Sequence, residues 1–522
     1  MIVSLHVRVQ RNCYQDSVRL MQISEKIKTM PGINKAFAIM GTESNKATLA
    51  RGGFDLSLMK DASPNDILFM VDAQTEGDAA RALDRFQTLV DEVRKSGEES
   101  RHAVASIETA RALLQQASLA LISVPGEFAA YEAHKALRAG LHVQIFSDNV
   151  PLEEERKLKL LGQKLGLLVM GPDCGTSIIG GTPIGFANAV ARGPVGIIGA
   201  SGTGIQEISV LVDLYGSGIS QAIGLGGRDL SDQIGGLSAF MALDILEHDP
   251  GTQVVVLVGK SPGPQTTEKL VQRCANYAKP IVFSLLGEKR ESILKGMRFV
   301  ARDMEEAARL AVELAENRPV AARSSEPESE ELRNLLAKRL SNAPDSRVLL
   351  RGLYTGGSLA DEAFSILRNQ LGTIRSNIAS DPALKIAGTE NAHEHMLIDM
   401  GDDEFTVGRP HPMIDPSYRA ERLVESWADA ETAVILCDVV LGHGSHTNPA
   451  GPVAEAVKLA RQQYGDVVTI VASVCGTERD PQVLSVQQAQ LHDAGILVLS
   501  SNAEAARVSG RIAKLYSNRR QV

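Results

Sequence analysis

Cysteine is scarce and scattered in this chain. Cys13, Cys174, Cys274, Cys437 and Cys475 form no Cys-x-x-Cys pair, which disfavours a disulfide framework or a structural zinc site. Aromatic residues make up only 4% of the sequence, with one tryptophan, and no basic run carries interleaved aromatics. The formal net charge of −9 also argues against nucleic acid as the main partner, because a polyanion needs a basic face. No apolar run reaches the ~18–20 residues of a membrane span. The opening Met1-Ile2-Val3-Ser4-Leu5-His6-Val7-Arg8 lacks the layout of a signal peptide. Together these absences predict a soluble, cytoplasmic protein with neither nucleic acid nor membrane as a partner.

What is present is apolar substance and alternation. The chain has 522 residues, 44% of them hydrophobic, enough for several domains of about 100–200 residues each. Short β-like runs alternate with amphipathic helical stretches. The runs are Leu119–Val124, Leu141–Phe146, Leu167–Met170, Val195–Gly199, Val254–Val258, Ile281–Leu285, Ala433–Val440, Val467–Val471 and Ile496–Ser500. Many are apolar on both faces, as strands of a parallel sheet covered on both sides must be. The pattern predicts a multidomain α/β protein with ligand sites at the carboxyl ends of strands. The polar, two-proline stretch Glu316–Leu332 reads as a linker, with weaker boundaries near Gly97–Arg101 and Arg192–Pro194. The predicted segments are 1–112, 113–193, 194–318, a linker at 319–344, and 345–522.

The clearest motif is Gly199-Ala200-Ser201-Gly202-Thr203-Gly204 after the apolar run Val195–Ile198. A strand that ends in small residues and opens a helix presents unpaired N–H groups and the positive end of the helix dipole, which suits a phosphate or carboxylate. Ser201 and Thr203 add hydroxyls to the backbone of Gly202 and Gly204. Close packing is the plain alternative for such glycines. A second loop, Gly224–Leu230, offers Gly226, Gly227 and Arg228 as anion donors, or is an ordinary turn. Thr355-Gly356-Gly357-Ser358, inside Arg351–Leu359, repeats the strand–glycine–helix logic.

Other candidates sit on turns. Gly171-Pro172-Asp173-Cys174-Gly175 follows a strand. Cys174 is a candidate nucleophile provided that its pKa is lowered, and otherwise a buried thiol; Asp173 stands beside it. Lys260 follows the strand Val254–Val258 and is placed to meet an anion. Gly408–Pro416 holds Arg409, His411 and Asp415 in a proline-rigid frame, a setting for binding groups. His443 and His446 lie three apart, but zinc needs further ligands, so no metal is predicted.

These residues carry a resemblance. Leu119 to about Gly287 resembles the α subunit of succinyl-CoA synthetase: Gly171–Gly175 matches its Gly-Pro-Asn-Cys-Pro-Gly turn, and Val195–Thr203 its strand and phosphate-binding helix start. Leu349–Leu359 and the region past Ala433 resemble the ligase domain usually found on the β subunit. Over nearly its full length, including Cys13–Ser17 and Gly408–Pro416, the chain is similar to the FdrA family of acyl-CoA synthetase-like proteins. The resemblance implies a Rossmann-like CoA-binding domain at 113–193, a flavodoxin-like ligase domain at 194–318 and a C-terminal ligase-type domain. It implies CoA and phosphate, or an acyl or carbamoyl phosphate, as ligands, and a homo-oligomer or a complex with other subunits. Gly287–Glu316 contains no histidine, so the family's phosphohistidine relay does not carry over, and Lys260 stands where an acidic partner of that histidine would fall. FdrA relatives are linked with oxamate carbamoyltransferase assemblies of anaerobic allantoin degradation, which implies a carbamoyl-transfer subunit as an alternative. A non-catalytic scaffold that binds CoA or a phosphate metabolite is the third reading.

Overall fold

The computed structural model describes residues 4–13, 15, 17–42, 45–46, 61–98, 104, 106–260, 262–286, 299–320, 344–386, 393–406 and 410–519. The chain divides into two compact units, Met1–Gln115 with Asp403–Asp415, and Gln116–Asp402 with Pro416–Val522. Among the described residues no helix is long and apolar enough to cross a membrane.

The first unit carries an antiparallel sheet. Strands β1 (Ser4–Gln10), β2 (Ile33–Met40) and β3 (Ile67–Ala73) lie in the order β1-β3-β2. Helices α1 (Ser17–Lys28) and α2 (Glu76–Glu98) pack on it. Leu20, Ile23 and Ile27 recur at helical spacing on α1 and meet Phe69, Val71 and Phe86 in the core. Phe69 and Phe86 stack with ring centroids 3.9 Å apart. Asp66, buried, accepts from Asn12 N (2.8 Å) and Ser63 N (2.7 Å) and so pins the β1–α1 loop. The strap 403–415 belongs to this unit: Phe405, Met413 and Ile414 are buried, and Asp415 accepts from Lys28 Nζ. This sheet departs from the parallel pattern of the rest of the chain.

The second unit holds three sheets. The smallest, β4 (Leu119–Ile122), β5 (His142–Ile145) and β6 (Val169–Met170), is parallel. The seven-stranded sheet runs β13-β12-β11-β9-β10-β7-β8. Its strands β9 (Arg192–Ala200), β10 (Ile219–Gly224), β11 (Val254–Lys260), β12 (Ile281–Leu286) and β13 (Phe299–Val300) are parallel. The hairpin β7 (Thr176–Ile179) and β8 (Thr182–Gly185) adds an antiparallel edge. Gly180 and Gly181, at φ 59° and 82°, supply the left-handed pair that a tight hairpin turn requires. The third sheet is wholly parallel, β15-β16-β14-β17-β18-β19. Its members are β14 (Leu349–Tyr354), β15 (Ile374–Ser376), β16 (His395–Asp399), β17 (Thr432–Val440), β18 (Thr469–Cys475) and β19 (Leu497–Leu499). Every residue of β14, β17 and β18 is buried, as two-sided cover demands.

Four helices form the seam between the two larger sheets: α3 (Gly202–Leu214), α4 (Met304–Ala315), α5 (Gly357–Leu371) and α6 (Asn502–Arg519). Helix α3 is buried continuously from Gly204 to Val212, the mark of a helix enclosed on all sides, and packs on α4 and α5. Polar groups in this seam are paired across long sequence distances. Asn188 Nδ2 donates to Asp480 (2.8 Å), and Gln206 donates to Asn188 Oδ1 (3.0 Å). Glu207 accepts from Asn502 N (3.0 Å), while Glu362 accepts from Met304 N (2.6 Å) and Asn502 Nδ2 (2.7 Å). Burial pushes the Glu207 carboxyl up to about 7 and that of Glu362 to about 8.

Candidate functional site: two facing helix starts

The site is built where β9 and β14 each deliver a helix. Ser201 leaves β9 in extended conformation, and its hydroxyl accepts from Gly204 N at 2.9 Å, an N-cap. An ideal Cβ on Gly199 would lie 2.3 Å from Ile205 Cγ1, so strand and helix approach too closely for a side chain there. The start of α5 meets this turn directly. Ser201 Oγ and Ser358 Oγ share a hydrogen bond, and Ser358 N donates to Thr203 Oγ1 at 3.2 Å. Two macrodipoles, each worth roughly half a positive charge at its N-terminus, therefore face one another. Ser201, Gly202, Thr203 and Gly357 remain partly accessible.

The second loop already holds an anion of its own. Asp438, at the carboxyl end of β17, accepts from Thr355 N (2.8 Å), Thr355 Oγ1 (2.9 Å) and Gly356 N (2.8 Å). Arg419 pairs with it at 3.0 Å, both side chains being buried. The expectation that Thr355 and Gly356 receive an external anion is thereby corrected. Ser358 is the residue of that loop bonded to the start of α3, while a Cβ on Gly356 would lie 3.0 Å from Thr203 Cγ2 and one on Gly357 2.8 Å from Asp399 Oδ2.

The remaining candidates separate. The Gly171–Gly175 turn and the Gly224–Arg228 loop do come together: a Cβ on Gly226 would fall 2.1 Å from Pro172 O, and one on Gly224 2.4 Å from Cys174 Sγ. These glycines serve close contact between the two loops. The Arg228 guanidinium bonds Glu155 (2.9 Å) and Val150 O (2.8 Å). Beside it the fully buried Lys159 bridges Glu155 (2.8 Å) and Asp229 (2.7 Å). Asp229 in turn caps a helix through Ser238 N and Ala239 N. Both Arg228 contacts use its Nη2, and its side chain is 46% exposed.

Cys174 is 2% exposed within an apolar cluster, and burial pushes its thiol up to about 11. That is opposite to what a nucleophile needs, so it packs. A maleimide at pH 7 should leave Cys174 unlabelled in the native chain and label it in urea, read by peptide mass mapping; native labelling at the urea rate would restore the nucleophile. Asp173 takes φ 56° in the turn, which aspartate tolerates better than most residues. Lys260 closes β11, its side chain lying outside the described residues, as does Arg409. His411 is half-buried in the first unit, its ring nitrogen accepting from Met413 N (3.2 Å), and desolvation lowers its pKa to about 4. Asp415 is ion-paired with Lys28. His446 accepts from Asn448 N at 3.1 Å within its turn. Among the described residues no group of three or more His, Cys, Asp or Glu is placed to hold a metal.

Sequence reasoning missed two residues here, Asp438 and Asp399. Both end parallel strands that flank β14, and that strand-end position was the available signal.

Known proteins give this geometry a context. A CoA-ligase family model matches residues 353–512, and a CoA-binding-domain model matches 191–284. The latter falls on the segment expected to be the flavodoxin-like ligase domain rather than on 113–193. Residues 2–106 match a model described as AllF, heavy metal-associated domain. That stretch has one cysteine, Cys13, 7% exposed. It lacks the Cys-x-x-Cys pair of a soft-metal clamp. The α subunit of malate–CoA ligase from Methylorubrum extorquens is 31% identical over 33% of this chain and 59% of its own length. An ATP citrate lyase structure from Methanosaeta concilii aligns at 16% identity, TM-score 0.35, over 45% of each chain. YahF of Escherichia coli, itself uncharacterized, is 39% identical over 96% of this chain and 97% of its own. The chain therefore belongs to YahF's family, the FdrA-like acyl-CoA synthetase-like proteins, and carries their CoA-binding and CoA-ligase domains.

Proposed function

We propose that this chain is an enzyme, or an enzyme subunit, of the acyl-CoA ligase type that handles a free acyl phosphate between the starts of α3 and α5. The observation that carries this reading is the direct meeting of Ser201 and Thr203 with Ser358. Preorganised donors aimed at developing phosphoryl charge stabilise a transition state without reorganisation. The stretch after β12 lacks the histidine of the family's relay, so the phosphate is handled as a diffusible acyl phosphate. CoA is the acyl acceptor in this reading. Its phosphates cannot rely on Lys159, which is fully buried and ion-paired to Glu155 and Asp229.

A second reading makes carbamoyl phosphate the acyl phosphate and the chain one subunit of a carbamoyl-transfer complex. The resemblance to the FdrA family, whose relatives are linked with carbamoyl-transfer assemblies, supports it. Thermal-shift titration of the purified chain with CoA, phosphate, carbamoyl phosphate and ATP separates the two. A ligand that binds only the folded state raises stability by about 2.7 kcal/mol at a hundred times its Kd. Stabilisation by phosphate and CoA supports acyl-CoA chemistry; stabilisation by carbamoyl phosphate without CoA supports the carbamoyl reading. No shift with any phosphate removes both. A shift with CoA or a phosphate but no turnover, with or without candidate partner chains, makes the chain a binding scaffold.

A further inference from the structure

Two aspartates flank the Thr355–Ser358 loop, and they are treated oppositely. Asp438 is saturated by three loop donors and Arg419. Asp399, at the end of β16, is 7% exposed, and no cation among the described residues pairs with it. Its Oδ1 accepts from Gly401 N at 2.9 Å. Its Oδ2 makes no hydrogen bond among the described residues. That oxygen lies against the first turn of α5, 2.8 Å from where a Cβ on Gly357 would stand. It does not cap the helix, because Ser358 N is given to Thr203.

Both backbone groups of Asp399 are held by one side chain. Asn377 Nδ2 donates to Asp399 O, and Asp399 N donates to Asn377 Oδ1, each at 3.0 Å. A strand end fixed this firmly carries a carboxyl oxygen that has no protein partner among the described residues and keeps a narrow exposure, so it can meet a group that arrives there. A carboxylate would repel an anion at this place, whereas a carboxylic acid would donate to it.

We propose that Asp399 is the proton-bearing donor of the anion site, its Oδ2 hydroxyl hydrogen-bonding to an oxyanion of the phosphate type held at the starts of α3 and α5. This rests on the anion site of the proposed function. The charged groups around Asp399 suit it: Asp361 on α5, Asp402 in the following turn and Asp438 on β17 are all acidic, and the Arg419 guanidinium serves Asp438. Tyr354, beside it on β14, is itself kept neutral by burial. Burial first, then Asp361, Asp402 and Asp438, push the Asp399 carboxyl up to about 7, so the proton is present at neutral pH and lost above it.

Sulfate is the test ligand, because it does not titrate between pH 5.5 and 8.5 and phosphate does. Calorimetric titration of the full chain should show sulfate affinity steady below pH 7 and falling about tenfold per unit above it, by linkage to one proton. Asp399→Asn keeps a donor and the shape of the side chain, so its affinity should stay within about threefold of wild type at pH 6 and vary little to pH 8.5. Asp399→Ala should bind at least about tenfold more weakly at pH 6. If Asp399→Asn shows the wild-type fall with pH, Asp399 is not the donor and the anion site stands. If wild type binds no sulfate at any pH, the anion site fails and the role of Asp399 with it.

Discussion

Ser201→Ala combined with Thr203→Val should weaken phosphate binding about 100-fold while the chain stays folded. In the proposed site each hydroxyl donates to the anion, and hydrogen bonds to charged groups contribute about 1.5–3 kcal/mol apiece. Two of them sum to about 3 kcal/mol, which is about two decades in affinity at 1.4 kcal/mol per decade. The stability cost is separate. The N-cap from Ser201 to Gly204 N contributes about 1 kcal/mol. Ser358 N loses its acceptor on Thr203, and an unpaired buried donor costs about 1–3 kcal/mol. The sum stays within the 5–15 kcal/mol stability of a typical domain, so circular dichroism should report a folded chain with a lower melting point. Calorimetry with phosphate decides the matter: a Kd unchanged from wild type, in a folded variant, would refute the paired-helix site.

The two helix starts were legible for different reasons and to different depths. Gly199–Gly204 could be read because strand, small residues and helix succeed one another locally, and the structure places Ser201 and Thr203 as that pattern requires. The Thr355–Ser358 loop shows the same local pattern, yet half of it is filled by Asp438, 83 residues beyond Thr355. Sequence cannot show which carboxylate folds back onto a loop. The same limit applies to Arg228, whose partner Glu155 lies on a helix that reads only as an amphipathic stretch. Cys174 looked reactive because its apolar neighbours, Ile198, Ile223 and Leu225 among them, arrive from other strands. Parallel strands such as β17 and β18 were plain, since two-sided burial leaves uninterrupted apolar runs. The strap 403–415 was not, because its burial in the first unit depends on tertiary docking and not on any period. His411 shows the consequence: a histidine in a proline-framed loop looks like a ligand group, and desolvation at its docked position keeps its ring neutral at pH 7.

Asp438→Ala should be the most damaging single substitution in the C-terminal sheet, costing about 3–5 kcal/mol. Removing one partner of a buried ion pair strands the other charge, and that penalty is what such variants measure. Here Arg419 is left with its guanidinium 2% exposed, and Thr355 N, Thr355 Oγ1 and Gly356 N lose their acceptor together. Urea denaturation gives the size of the loss. Asp438→Ala with Arg419→Met should recover part of it, because the second change removes the stranded charge. Acetate offers a sharper check. A small carboxylate can enter the space left by the Asp438 side chain, meet the same three donors and Arg419, and raise the melting point of Asp438→Ala while leaving wild type unmoved, by selective binding to the folded state. A single variant that loses less than about 1 kcal/mol, with no response to acetate, would mean that the loop is not organised around an internal anion. The restored response would instead show that Thr355 and Gly356 are competent anion donors whose natural occupant is supplied by β17, leaving Ser358, which bonds Thr203, as the residue through which the loop joins the proposed phosphate site.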